Sequence, residues 1–133
     1  MTEKLPFDPA KEPYINLMTY RKSGVEVKTP VWVAKSGDMY YIFSESKAGK
    51  VKRLRNNNQI RIAACDVRGK VKSDWLEGTA HIIDNPESIS AMYQAFDKKY
   101  KWQMRALNFM ARLSGRYNKR AILAFSLNQQ QTT

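Results

Sequence analysis

The sequence predicts a single, mainly β domain folded as a closed or half-closed antiparallel barrel of six strands. Its 133 residues are enough for one compact domain. Segments with apolar side chains at every second position recur along the chain, which is typical of strands with one face in a core. Helical patterns interrupt them without the regular strand–helix alternation of a parallel sheet, so a barrel is favoured over a doubly wound fold.

The first third of the chain is predicted to form a β-meander. Residues 14–21 are a strand candidate that ends at the turn residues Lys22, Ser23 and Gly24. Residues 25–34 alternate strictly, and we expect one face to lie in the core: Val25, Val27, Thr29, Val31, Val33. Pro30 cannot donate a ladder hydrogen bond, which indicates an edge strand, a bulge, or a ligand in place of a neighbouring strand. A further strand spans residues 39–44.

A short helix is predicted over residues 49–55, with Val51 and Leu54 facing inward and three asparagines at its end. Alternation over residues 59–66 and 75–84 predicts two more strands, separated by a basic loop around Gly69.

Asn85 and Pro86 form a helix start signal, and apolar residues then follow at helical spacing as far as Tyr100. A second helix over residues 102–113 and a last strand over residues 120–128 complete the domain, which covers residues 1–133. The polar ends, residues 1–13 and 129–133, are expected to be flexible.

The net charge of +11 and the isoelectric point of about 9.9 predict an anionic partner, of which nucleic acid and an anionic membrane are the most obvious kinds. Two segments carry the excess. Residues 47–72 hold nine basic residues and one acid, and residues 98–120 hold eight basic residues and no acid. The remaining residues, with six basic and eleven acidic side chains, are net acidic.

Several kinds of site are disfavoured by composition. Cys65 is the single cysteine and His81 the single histidine, so we expect no intrachain disulfide and no metal site. The chain has no run of about 18 apolar residues that could span a membrane, and we expect a cytoplasmic protein with no membrane partner. No acid, base or nucleophile can be assigned, so the catalytic residues are unknown.

The segment from Ser44 to Arg53 has the composition of a phosphate site. Hydroxyl groups at the end of a strand precede a glycine, a helix start and several cations. The amino end of a helix offers free N–H groups and a positive dipole, and the side chains of Lys50 and Arg53 add charge. A solvated basic helix is the alternative interpretation.

Three motifs together resemble the pyridoxamine 5′-phosphate oxidase-like superfamily of flavin- and deazaflavin-binding split barrels, and in particular its small F-420-dependent subgroup. The resemblance covers most of residues 14–128 in order and spacing. The motifs are Thr29-Pro30-Val31-Trp32-Val33, then Gly49-Lys50-Val51-Lys52-Arg53-Leu54 followed by Asn56-Asn57-Asn58, then Glu77-Gly78-Thr79-Ala80.

The resemblance implies a homodimeric oxidoreductase with FMN, or alternatively F-420, in a groove between the subunits. By position, the cofactor phosphate would be bound by Ser44, Lys50 and Arg53, and less surely by Lys47. The ring system would lie along the strand that carries Thr29, Pro30, Val31 and Trp32. The redox chemistry would belong to the cofactor, and the substrate would be an unknown small organic molecule.

Two details modify that expectation. True pyridoxamine phosphate oxidases continue into a C-terminal segment that helps to bind substrate, whereas this sequence stops shortly after Asn128, so oxidation of vitamin B6 is not expected. Because F-420 carries an acidic glutamate tail, it would suit the surface rich in arginine and lysine better than FMN would.

Other functions remain open at this stage. One is a nucleic-acid-binding barrel that uses both basic segments, with Trp75, Trp102 and Tyr117 as stacking surfaces. Another is a catalytically silent cofactor-binding or haem-handling split barrel.

Overall fold

Seven antiparallel strands form one sheet in the computed structural model, which describes residues 7–45, 49–113 and 120–128. In chain order the strands are β1 Ile15–Tyr20, β2 Glu26–Val31, β3 Ala34–Ser36, β4 Met39–Glu45, β5 Gln59–Ala64, β6 Leu76–Ile83 and β7 Arg120–Leu127. Their order across the sheet is β2-β1-β5-β6-β7-β4-β3.

Three α-helices lie where the sequence predicts them. Helix α1, Gly49–Asn56, joins β4 to β5, while α2, Pro86–Tyr100, and α3, Trp102–Leu113, join β6 to β7. The side chain of Asn85 caps α2 by accepting a hydrogen bond from the Ser88 N–H at 2.7 Å. The described part of the expected flexible amino end includes a 3-10 helix at Pro9–Lys11, in which Pro9 is buried.

The prediction of six strands is wrong by one, because the alternating segment 25–34 is not one continuous strand. It breaks at Trp32 and Val33 into β2, which pairs with β1, and β3, which pairs with β4. The expected burial is also too strong, since β2 alternates between half-buried and exposed residues. Its position at one edge of the sheet explains both this pattern and the tolerance of Pro30.

The connection between β2 and β3 requires the sheet to curl. The two strands are at opposite edges of the sheet, yet Val31 and Ala34 are separated by three steps of the chain. Each step spans at most about 3.8 Å, so the two edges approach to about 11 Å or less. The sheet is therefore a curled barrel, as the sequence predicts, with the β2–β3 connection at its split.

Helix α2 supplies hydrogen-bond partners to the backbone at this connection. The N–H of Val33 donates to the Tyr100 hydroxyl at 3.1 Å, and that hydroxyl donates to the carbonyl of Pro13 at 2.8 Å. The Lys99 ammonium donates to the carbonyls of Val33 and Glu12, at 2.6 Å each. Burial raises the pKa of Tyr100 to about 12, so its hydroxyl keeps its proton at neutral pH.

Apolar side chains pack on both faces of the curled sheet. The barrel interior contains residues from the strands, among them Leu17, Ile62 and Phe125, and Leu54 of α1. Residues of α2 and α3, including Phe96 and Met104, pack on the outer face against β3, β4 and β7. Helix α1 and the α2–α3 pair are therefore on opposite faces of the sheet.

Replacing Tyr100 by Phe should destabilise the protein by about 1–3 kcal/mol, because it leaves the buried Val33 N–H without an acceptor. Tyr40→Phe is the matched control: both tyrosines are 6% exposed, and the Tyr40 hydroxyl has no hydrogen-bond partner among the described residues. The free energy of unfolding in urea measures both variants. Equal losses would contradict the role assigned to Tyr100.

Candidate functional site

The Arg53 guanidinium lies against the first turn of α1. A Cβ atom added to Gly49 would be 2.7 Å from Arg53 Nη1, so the absence of a side chain at Gly49 leaves room for the guanidinium. Side chains on a helix point toward its amino end, which is where unpaired N–H groups and the positive end of the dipole lie. The arrangement concentrates positive charge and hydrogen-bond donors at the start of α1.

Thr19 on β1 holds Arg53 in this position. The guanidinium Nε donates to the Thr19 hydroxyl at 2.6 Å, and Thr19 is 1% exposed. Sequence reasoning missed this residue, although a signal was present. Thr19 is the polar member of the β1 face that also carries Ile15 and Leu17, both in the barrel core.

Arg53 has no carboxylate partner among the described residues, and a second cation lies nearby. Burial lowers the pKa of Arg53, and the positive charge of Arg21 lowers it further. Two neighbouring guanidinium groups repel each other unless an anion lies between them or close to both. The pair is therefore suited to bind an anionic group such as a phosphate.

The strand predicted to contact the cofactor ring meets the same region through β1. Thr29 pairs with Leu17, which is two residues along β1 from Thr19, the residue that contacts Arg53. Because β2 is an edge strand, its outer side pairs with no strand among the described residues. Thr29 therefore lies on the strand next to the one that holds Arg53, two residues along from Val27, the pairing partner of Thr19.

The basic loop between β5 and β6 lies at the other end of β2. Gly69 adopts φ +91 and its carbonyl accepts a hydrogen bond from Asn16 Nδ2 at 2.8 Å, while Asn16 pairs with Pro30. Asp66 accepts hydrogen bonds from the N–H groups of Arg68 and Lys70, both at 2.9 Å, and these bonds, Lys70 first, lower its pKa. Asp66, the single acidic residue of the basic segment 47–72, thus holds the loop together.

The Trp32 side chain packs on the outer face of the sheet, with α2, and not on the face that carries α1. Its ring stacks on Tyr100 with centroids 4.2 Å apart and an angle of 6° between the planes. The two rings line a cavity of 350 Å³ together with Lys99, whose pKa burial lowers to about 8. The other lining residues are Ala10, Lys11, Pro13, Tyr14 and Gln103.

Of the remaining predicted phosphate ligands, one lies on α1 and one on β4. Lys50 is half-buried on α1, three residues before Arg53. Ser44 is half-buried near the end of β4, where it pairs with Ala121. Lys47 lies outside the described residues.

Cys65 and His81 occupy different environments. Cys65 is fully buried, and burial raises the pKa of its thiol, which suppresses the reactive thiolate. His81 is exposed on β6, where it lines an open cavity of 530 Å³ with residues 54–59. No helix within the described ranges is long and apolar enough to cross a membrane.

A scan against models of protein families finds no match to this chain, and a search of curated proteins finds none. Solved structures do match. The haem-storage protein HutZ of Vibrio cholerae aligns with a TM-score of 0.68 and 13% identity, over 93% of this chain and 86% of that one.

Two further structures have names that refer to redox enzymes. A candidate pyridoxamine 5′-phosphate oxidase from Listeria innocua aligns with a TM-score of 0.61 and 10% identity, over 91% of this chain and 88% of that one. An F420 reductase aligns with a TM-score of 0.58 and 17% identity, over 92% of this chain and 94% of that one. The chain therefore has the split-barrel fold of the pyridoxamine 5′-phosphate oxidase-like proteins, as the sequence motifs imply.

Proposed function

We propose that this protein is a cytoplasmic split-barrel oxidoreductase that binds a phosphorylated flavin, FMN, or the deazaflavin F-420, and acts on a small organic substrate. The observation that carries the proposal is the Arg53 guanidinium at the start of α1. It lacks a carboxylate partner among the described residues, it is held by Thr19, and it lies near the like-charged Arg21. An anionic group relieves that repulsion, and a cofactor phosphate is such a group.

The residues present fit a phosphate. The space left by the missing side chain of Gly49 admits the guanidinium, and the first turn of α1 presents N–H groups beside it. Lys50 adds a second cation on the same helix, and Ser44 a hydroxyl near the end of β4. Arg53 and Lys50 would neutralise the phosphate, and Ser44 would donate a hydrogen bond to it.

The ring system would lie along the outer side of β2. Pro30 contributes no N–H, so the neighbouring Thr29 and Val31 would supply backbone groups to the ring edge. When bound, the cofactor supplies hydride or electron transfer. The chain's own residues would fix its orientation, which agrees with the lack of an assignable acid, base or nucleophile.

A homodimer with the cofactor between subunits is part of this proposal. The outer side of β2 pairs with no strand among the described residues, and the strand has Arg21 near one end and the Gly69 loop near the other. A second copy that covered this side would enclose the ring and exclude water from it. The match to an F420 reductase supports a deazaflavin as the alternative to FMN. The basic side chains of Arg68 and Lys70 would suit the acidic tail of F-420.

The match to HutZ supports haem handling as a second candidate. Neutral imidazole is a common axial ligand of haem iron, and His81 is exposed beside an open cavity of 530 Å³. Haem and flavin differ in absorption, so titrating the protein with haemin and with FMN separates the two candidates. A His81→Ala variant that loses haemin binding would favour the second.

Lys50→Ala and Arg53→Ala should each weaken FMN or F-420 binding about tenfold or more, because a charge-assisted hydrogen bond contributes about 1.5–3 kcal/mol. Quenching of cofactor fluorescence measures the affinity. Lys52→Ala is the control, since it removes the same charge from an exposed position of the same helix. If all three variants lose affinity equally, general electrostatic attraction accounts for binding and the phosphate site is wrong.

Thr19→Val should weaken cofactor binding through Arg53, because valine keeps the shape of threonine and removes the acceptor of the 2.6 Å hydrogen bond. In an Arg53→Ala background the same change should have little further effect, which a double-mutant cycle detects. Additive losses in the double variant would show that Thr19 acts independently of Arg53.

A further inference from the structure

Helix α3 exposes its apolar side to solvent. Trp102 is 72% exposed, Phe109 and Met110 are 62% exposed, and Leu113 is 69% exposed. Met104 is the buried residue of this helix. Large apolar side chains that cluster on a surface mark a site of interaction far more often than single exposed ones do.

The exposed apolar residues form one continuous strip. At 3.6 residues per turn, five positions fall within about 100° around the helix axis: Trp102, Ala106, Phe109, Met110, Leu113. The opposite side packs on the body of the protein, where Met104 is buried and Asn108 Oδ1 accepts a hydrogen bond from Arg120 at 2.7 Å. The strip therefore points directly away from the sheet.

The charged side chains of α3 itself, Arg105 and Arg112, are both basic. Residues 98–120 contain eight basic residues and no acid. Arg105 and Arg112 are exposed, seven residues apart, and border the strip on the same side. Lys101, exposed at the junction between α2 and α3, adds a further cation. Two copies of this helix would repel each other, whereas an anionic surface would attract it.

We propose that α3 is a membrane-surface helix that binds the headgroup region of an anionic phospholipid bilayer. Trp102, Phe109, Met110 and Leu113 would enter the boundary between headgroups and acyl chains, and the flanking arginines would bind lipid phosphates. Exposed apolar residues opposite the packed side, with cations at their border, are the features that distinguish such helices from ordinary surface helices.

A bilayer fits this strip better than nucleic acid does. The centre of the strip carries no charge and includes the aliphatic residues Ala106, Met110 and Leu113, whereas a nucleic-acid groove needs cations along its length to follow the phosphates. The expectation of no membrane partner rested on the lack of a spanning segment. Peripheral binding through α3 requires no span and does not depend on the proposed cofactor.

Cosedimentation with vesicles tests the proposal. The full-length protein should bind vesicles of equal parts phosphatidylglycerol and phosphatidylcholine, and bind pure phosphatidylcholine vesicles much more weakly. Phe109→Asp should lower the partition coefficient on the anionic vesicles about tenfold or more, because it replaces an apolar side chain that would be buried at the lipid boundary with a charged one. Bound vesicles should also shift Trp102 fluorescence to the blue, a shift that Trp102→Phe removes.

Val25→Asp is the matched control, because Val25 is 56% exposed in the β1–β2 turn and the substitution changes the charge equally. Of the vesicle binding that Phe109→Asp removes, the Val25→Asp variant should keep at least half. Equal losses in the two variants would mean that charge alone drives binding, and would overturn the proposal. A failure of the wild-type protein to bind anionic vesicles would also overturn the proposal. If, in addition, Phe109→Asp converts a dimer to a monomer or abolishes oligonucleotide binding, the strip binds a second copy or a nucleic acid instead. If Phe109→Asp does not fold by circular dichroism, Leu113→Asp replaces it.

Discussion

The short connection between β2 and β3 is the constraint on which the rest of the structure depends. Two residues, Trp32 and Val33, join strands that lie at opposite edges of a seven-stranded sheet, so the sheet has to curl until its edges meet. The ladder cannot continue through this connection, and Val33 is fully buried. Its backbone groups depend on Tyr100 and Lys99 at the end of α2. The barrel and its split thus follow from the shortness of this connection, and the end of α2 supplies the hydrogen bonds that its buried backbone needs.

Curling also separates the two basic segments of the chain. The first contributes Arg53 on α1 and the Gly69 loop, which lie along the edge formed by β1 and β2. The second contributes α3, which packs with α2 on the outer face of the sheet. A polyanion would have to reach across both faces to use the whole charge. The two anionic partners proposed above, a cofactor phosphate on one side and a lipid surface on the other, would account for the distribution without that requirement.

Local signals predicted the helices and most strands well. The Asn85 cap and the spacing of Val51 and Leu54 act over a few residues, and the corresponding helices begin and end close to the predicted positions. The alternation of residues 25–34 continues through Val33 and so predicts one strand, whereas the break there depends on Tyr100, 67 residues away in sequence. The contact of Arg53 with Thr19 likewise joins residues 34 apart. Local sequence patterns cannot predict such distant pairs. A threonine on an otherwise apolar strand face, as at Thr19, does indicate that a polar partner lies opposite it.

The absorption and mass spectra of the small molecules that accompany the protein when it is purified from its own host test the central claim most directly. The account predicts a phosphorylated flavin or deazaflavin in the wild-type protein, and its loss from an Arg53→Ala variant that remains folded. Recovery of haem or nucleic acid instead, or a protein that carries no chromophore and binds neither FMN nor F-420 when they are added, would contradict it.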